Sequence, residues 1–133
     1  MEKLKRLICE YDHPILYVHI DGEINSGDLI NFSYSLMRRL SKTTGSFYIF
    51  CDLSNCIFNL MDGLEMKVFA PFFENALNKE VVRISILPPK GKMNIYQEIK
   101  KDQRLRFFDN DYSAALSWLS TARVSVNKMQ SPV

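Results

Sequence analysis

The residues best suited to chemistry lie in one stretch, FYIFCDLSNCIFNLMDGLEM, which spans residues 47–66. It contains Cys51 and Cys56, which are two of the three cysteines, and a serine, Ser54, that lies between two aspartates. These residue types could form a reactive thiol site, a phosphorylation switch or a set of acid–base groups. The alternative is a buried strand that continues into a helix.

The cysteines of this stretch lack the surroundings of a reactive thiol. Cys51 lies in an apolar run, where a cysteine usually packs as a small hydrophobic side chain. Cys56 follows on a predicted loop, but no Lys, Arg or His flanks it to lower its pKa. We therefore expect both thiols to be unreactive. The odd cysteine count, without a C-x-x-C pair, also favours a reduced cytoplasmic protein.

The sequence lacks the local signatures of common catalytic, metal and nucleotide sites. Its five glycines form neither G-x-G-x-x-G nor a P-loop, and no G-x-S-x-G elbow is present. The two histidines, His13 and His19, have no partner at metal-ligand spacing. We predict a non-enzymatic protein without a metal or cofactor. The alternative is a small enzyme whose composite site combines distant residues such as Asp52, Asp62 and His19.

Length, composition and charge indicate a soluble protein. A chain of 133 residues suits one domain, and 47% hydrophobic with 24% charged residues is ordinary for a globular protein. The net charge of +2 is too small to argue for nucleic-acid binding. No apolar run approaches the ~20 residues of a membrane span, and the N-terminus lacks the apolar core of a signal peptide. We therefore expect a cytoplasmic location.

The apolar periodicity predicts an α/β fold with the element order ββαβαβαβα. The continuous apolar run at 47–53 is typical of a central strand that is covered on both faces. The weaker alternation at 3–10 predicts an edge strand in an antiparallel hairpin. We predict a mixed, mostly parallel sheet with an antiparallel N-terminal edge strand and about four helices. One domain would span residues 1–122, with a loose tail at 123–133.

The second predicted helix carries more large apolar side chains than one core face can take. Asp62 is its predicted N-cap, with Glu65 as the capping-box partner. The surplus of apolar side chains indicates either a wide core face or a crevice beside the helix.

Our hypothesis is a crevice that binds an apolar small molecule or a protein partner. Its edge is assigned to Phe58, Met61, Met66 and Phe69. Methionine side chains suit a flexible ligand because they adapt their shape. Phe72 and Phe73 are assigned mainly to the core. Replacing Met66 and Phe69 with serine is then expected to abolish binding at little cost in stability.

The last predicted helix carries the only tryptophan. Ala115, Trp118, Leu119 and Ala122 share one helical face, which predicts close packing on the sheet. If the Trp118 ring is buried, replacing it with alanine is expected to cost roughly 3–5 kcal/mol.

Two stretches resemble known families. FYIFCDLSNCIFNLMDGL resembles part of the STAS domain of sulphate transporters and bacterial anti-sigma-factor antagonists, where a strand ends in D-L-S and D-S-S-G-L opens the next helix. RFFDNDYSAALSWL is similar to the end of bacterial STAS-like proteins grouped with CRAL-TRIO-type lipid carriers, which share an A-L-x-W-L signature. The resemblance covers residues 3–119 and implies a STAS-like fold. The antagonist branch implies docking to a protein partner, and the lipid-carrier branch implies an apolar ligand; a homodimer is a further expected assembly.

The chain departs from the antagonists at the position of their switch. In that family a partner kinase phosphorylates a serine at the start of the second helix, whereas residues 62–64 here read Asp-Gly-Leu. Asp62 therefore occupies a vestigial switch position. Ser54 matches only the serine of D-L-S, where we expect it to form a hydrogen bond in a turn. The resemblance thus predicts a binding or regulatory module without a phosphorylatable serine.

Overall fold

The computed structural model describes residues 4–130, and the side chains of residues 4–121. The described chain forms five strands and four helices. The strands are β1 (Arg6–Asp12), β2 (Ile15–Asn25), β3 (Phe47–Asn59), β4 (Val81–Leu87) and β5 (Leu105–Phe107). The helices are α1 (Ser26–Lys42), α2 (Leu64–Leu77), α3 (Met93–Tyr96) and α4 (Tyr112–Gln130).

The five strands form one sheet in the order β1-β2-β3-β4-β5, so the strand order follows the chain order. β1 pairs with β2 antiparallel, and the other three pairings are parallel. The predicted fold class is therefore confirmed, with β3 central and β1 at an edge. None of the described helices is long and apolar enough to cross a membrane.

The sheet is buried on both faces at β3 because successive side chains of a strand point to opposite faces. Phe47, Ile49 and Cys51 belong to the larger apolar cluster, which also includes the buried side chains of α1 and α2. Tyr48 and Phe50 belong to a smaller cluster on the opposite face, which α4 covers. Because alternate residues of β3 face two different apolar clusters, the run at 47–53 is apolar at every position except Asp52.

The helix α1 begins with a complete capping box. The Asn25 side chain accepts a hydrogen bond from the Asp28 backbone N–H at 2.8 Å, and Asp28 accepts one in return at 3.1 Å. Lys5 also binds Asp28, at 3.0 Å, and so ties the start of the chain to this helix. α1 thereby holds a fixed position across β1 and β2.

The last helix is α4, which continues to Gln130 and so overlaps the predicted tail at 123–133. The looseness of that tail stays a prediction. The side chains of residues 122–130, including Ala122, and all of residues 131–133 lie outside the described part of the chain. Ala115 and Leu119 are buried on the sheet as predicted, but Trp118 is only half-buried.

Candidate functional site

A crevice with a volume of about 260 Å³ opens where β3 ends and α2 begins. Its wall includes Phe58, Met61, Glu65, Met66, Lys92 and Ile95. The strand β3 supplies the phenylalanine, the turn and first helical residues of α2 supply the methionines, and the segment entering α3 supplies the lysine. Side chains from three separate elements therefore meet at this crevice.

The structure brings three of the four predicted crevice residues together. Phe58 and Met66 are half-buried in its wall, and Met61, with 61% of its surface exposed, lies at its mouth. Phe69 was assigned to the same edge, but this assignment is wrong because Phe69 is completely buried in the core. Its ring packs against the inner side of Phe58, with the ring centroids 6.0 Å apart.

The register of α2 explains this correction. The buried residues of the helix are Glu65, Phe69, Phe72, Phe73, Ala76 and Leu77. Their spacing is that of one helical core face. Glu65 occupies the first position of that face, where an apolar residue is expected, and Phe69 lies one helical turn further along the same face. Phe72 and Phe73 lie in the core as predicted.

Glu65 is a buried carboxylate at the inner end of the crevice. Only 10% of its side-chain surface is exposed, and its Oε1 binds the Lys92 ammonium at 2.6 Å. Its other oxygen, Oε2, is buried as well, and the Tyr96 phenol lies close enough to interact with the carboxylate. Lys92 also lies 5.8 Å from the centroid of the Phe58 ring, within cation–π range. The sequence prediction missed Glu65 and Lys92 as site residues.

The N-cap of α2 is Gly63, not Asp62. Gly63 has a φ of 79°, and α2 has no side-chain cap hydrogen bond. Instead the Leu64 N–H donates to the Met61 carbonyl at 3.1 Å, and the Met61 N–H donates to Ser26 Oγ at 2.9 Å. The positive φ, which glycine adopts without strain, turns the chain into the helix. Asp62 is left exposed on the rim of the crevice, where its carboxylate adds negative charge.

Ser54 lies in a separate polar network on β2 and β3. Its hydroxyl donates to Asp52 Oδ1 at 2.6 Å, and its backbone N–H donates to the same oxygen at 3.0 Å. Asp52 Oδ2 lies 3.5 Å from His19 Nδ1, and His19 Nε2 lies 2.8 Å from Asp21. Ser54 belongs to β3, which continues to Asn59 in place of the loop predicted after residue 53.

The composite site considered from the sequence is thus assembled only in part. His19 and Asp52 are in contact, but Asp62 lies at the crevice and contacts neither of them. The Ser54 hydroxyl is directed to Asp52 and not to His19. A serine nucleophile needs a hydrogen bond to its general base, which here would have to be the histidine. The observed bonds instead link polar side chains in the middle of two neighbouring strands, β2 and β3.

The three cysteines are expected to react slowly with thiol reagents at neutral pH. Burial raises the pKa of Cys56 to about 12 and that of Cys9 to about 11. The Cys51 pKa is also raised, again by burial. Because the thiolate is the nucleophile, reaction with dithionitrobenzoate should be more than about a hundredfold slower than for a free cysteine of pKa ~8.5.

The same assay in urea should release all three thiols, since each is free in the structure. Half-buried Cys9 is expected to react first as the native protein opens. Rapid labelling of Cys56 in the native protein would contradict this and would indicate a reactive site at the end of β3.

Comparisons with known proteins bear on the fold. The chain matches no known protein-family model and no curated protein. It is similar in structure to an uncharacterised protein of the DUF3478 family from Shewanella loihica, which is described as having a SpoIIAA-like fold. The TM-score is 0.52 at 18% sequence identity, over 90% of this chain and 98% of that one. This likeness shows the fold alone, and the chain has a SpoIIAA-like, that is STAS-like, fold.

Proposed function

We propose that this STAS-like chain is a non-enzymatic binding module, cytoplasmic in location, which takes a small apolar ligand into the crevice at the start of α2. The observation that carries the proposal is the exposure of large apolar side chains around one opening. Met61 is 61% exposed and Ile95 is 43% exposed, although both line the crevice. Covering these side chains with a ligand removes apolar surface from water, which is favourable.

The volume limits the size of the ligand. Sites for drug-sized molecules typically enclose ~300–1,000 Å³. The crevice, at about 260 Å³, lies just below this range. A molecule with a short apolar part therefore fits, whereas a long acyl chain would extend over the protein surface. The two methionines can adjust to the ligand because their side chains are unbranched and flexible.

Replacing Met61 with serine is expected to weaken ligand binding at least about fivefold, because the variant loses apolar contact worth roughly 1 kcal/mol. Hexanol is a suitable probe, and its binding can be followed through the amide NMR signals of Met61, Glu65 and Met66. The free energy of unfolding should change by less than about 0.5 kcal/mol, because Met61 is an exposed side chain.

The matched control is Met37→Ser, which removes another exposed methionine, 39% exposed, from α1. This variant should bind hexanol as the unchanged protein does. Native mass spectrometry of the purified protein would show any ligand that co-purifies. If hexanol shifts no crevice signal, or if Met61→Ser and Met37→Ser behave alike, the proposed function is wrong.

A protein partner that inserts one apolar side chain into the same crevice is the second candidate, because the volume also suits a single anchor residue. This partner could be a second copy of the chain. Size-exclusion chromatography of the protein and of Met61→Ser separates the two cases. Self-association that Met61→Ser abolishes would support the partner, and a monomer that binds hexanol would support the small ligand.

A further inference from the structure

A groove with a volume of about 430 Å³, separate from the crevice, lies between β1 and one flank of α1. β1 contributes four consecutive residues to it, Leu7, Ile8, Cys9 and Glu10. Leu7 and Cys9 pack against the core on the α1 side, so Ile8 and Glu10 point to the opposite face of the sheet. Residues that point to opposite faces can line one groove only along the edge of their strand. The groove therefore follows the free backbone edge of β1.

The edge formed by β1 is long and regular. β1 lies at one end of the sheet and pairs with β2 alone. All seven of its residues, Arg6–Asp12, pair with β2 without a bulge, and none of them is a proline. Bulges and prolines are two of the devices by which proteins keep an edge strand from pairing with another chain. The edge strand at the other end of the described sheet, β5, has only three residues. β1 is thus the better template for a further strand.

The flank of α1 that lines the groove is positively charged. Arg38, Arg39 and Lys42 contribute three cations, against one carboxylate from Glu10. All three are exposed, and none takes part in an ion pair between described side chains. The Arg39 charge reaches the strand, because it lowers the pKa of Cys9 against the larger, opposite effect of burial. The described chain therefore leaves a surplus of positive charge beside an open strand edge.

This charge disfavours a second copy of the chain as the occupant of the edge. Two β1 strands that paired antiparallel would bring the cations of both α1 helices together, and like charges repel. In a pairing centred on Cys9, Arg6 would lie opposite Asp12 of the other copy, but such exposed ion pairs contribute little. An acidic strand instead gains hydrogen bonds along the edge and an attraction to the cations.

We propose that β1 and α1 form a docking groove for an extended, acidic segment of a partner protein, which adds to the five-stranded sheet as a further strand. The backbone of the segment pairs with the free edge of β1. Its acidic side chains, at every second position, point to the α1 side and bind Arg38, Arg39 and Lys42. The side chains between them lie beside Ile8. This inference goes beyond the proposed function and is independent of it, because the groove and the crevice share no lining residue.

A synthetic peptide that alternates glutamate and threonine over seven residues is a suitable probe, since it matches β1 in length. Its binding can be followed by NMR titration through the amide signals of residues 7–10. It should bind at least about tenfold tighter than the same peptide with lysine in place of glutamate. Its dissociation constant should rise with the salt concentration, because ions screen exposed charges.

Two double variants test the contribution of the cations. Arg38→Gln combined with Arg39→Gln should weaken binding of the glutamate peptide about fivefold, because each exposed ion pair contributes a modest part of the binding free energy. The matched control combines Lys100→Gln with Lys101→Gln, which removes the same charge near β5 and should leave the affinity unchanged. Since all four side chains are exposed, both double variants should fold as the unchanged protein does.

N-methylated peptides test the backbone pairing. The N–H groups of alternate residues in a strand point to opposite sides, so only one set of them faces β1. Methylating the amides of all glutamates, or of all threonines, removes one set without a change in charge. One of the two methylated peptides should lose binding, and the other should keep most of it.

Four outcomes would overturn the inference. If both methylated peptides bind as the unmodified one does, charge alone holds the peptide and no strand is added. If the lysine peptide binds equally well, or the two double variants behave alike, the cations of α1 do not select an acidic partner. If no peptide shifts the signals of residues 7–10, the edge is not a docking site. If size-exclusion chromatography shows a dimer that the glutamate peptide cannot dissociate, a second copy occupies the edge. None of these results bears on hexanol binding in the crevice.

Discussion

Replacing Phe69 with alanine is expected to lower the free energy of unfolding by about 3–5 kcal/mol. The side chain is fully buried and packs among three aromatic rings, with centroid distances of 6.0 Å to Phe58, 6.1 Å to Tyr96 and 6.3 Å to Phe73. Alanine would leave a cavity that these rings can fill only in part, because a core collapses incompletely around a lost side chain. Urea denaturation followed by circular dichroism measures the change.

Phe58→Ala is the matched control for this substitution. Phe58 lies on the other side of the same ring contact but is half-buried, so its removal should cost less than that of Phe69. Equal losses of unfolding free energy for the two variants would show that Phe58 is as much a core residue as Phe69, and so does not belong to a crevice wall. The result also decides how the crevice can be tested. A serine at Phe69 would unfold the core, and Met61 and Met66 are therefore the positions to replace.

Replacing Trp118 with alanine is expected to cost about 2 kcal/mol, which is below the ~3–5 kcal/mol of a fully buried ring. The indole is half-buried and lies within cation–π distance of two guanidinium groups. Arg83 lies 4.5 Å and Arg106 lies 4.9 Å from the ring centroid. Each contact contributes roughly 0.5–1 kcal/mol at a partly exposed site. The hydrogen bond from Arg83 to the Trp118 carbonyl, at 2.6 Å, involves only the backbone of Trp118 and should survive the substitution.

Trp118→Phe is the control, because it keeps an aromatic ring near the two arginines and should recover about half of the lost stability. Both variants can be compared by urea denaturation at neutral pH. A loss above about 4 kcal/mol for the alanine variant would indicate a buried ring, as the sequence first suggested. An unchanged stability would instead leave the tryptophan free for a binding role on the α4 side of the sheet.

The central and edge positions in the sheet could be predicted because the strands that occupy them differ in composition. The run at 47–53 is apolar except at Asp52, and only a strand between two layers of helices buries both of its faces. Residues 6–12 alternate weakly because no side chain of β1 is fully buried. These contrasts are differences in local composition, which can be read from a single sequence. The end of β3 was less visible, since residues 54–59 mix polar and apolar types and most of them are exposed or half-buried.

The crevice could be predicted only in part. A surplus of apolar side chains around α2 is visible in the sequence, but the rotation of the helix is not. An acidic residue, Glu65, occupies a core position, and this hides the true start of the buried row. The charge is tolerated there because Lys92 reaches it from 27 residues further along the chain. Sequence spacing does not reveal that ion pair, and so Phe69 was assigned to the wrong side of the helix.

The order of the strands has a consequence for the chain as it leaves the ribosome. Each strand pairs with the strand made just before it, so the sheet can grow from one edge without waiting for distant segments. The face covered by α4 is the exception, because α4 is the last of the described elements to be made. Until residue 112 has emerged, the apolar side chains of Ile15, Tyr48 and Phe50 have no helix above them. A nascent chain at that stage exposes this apolar face of the sheet to solvent, and a chaperone would be expected to bind it there.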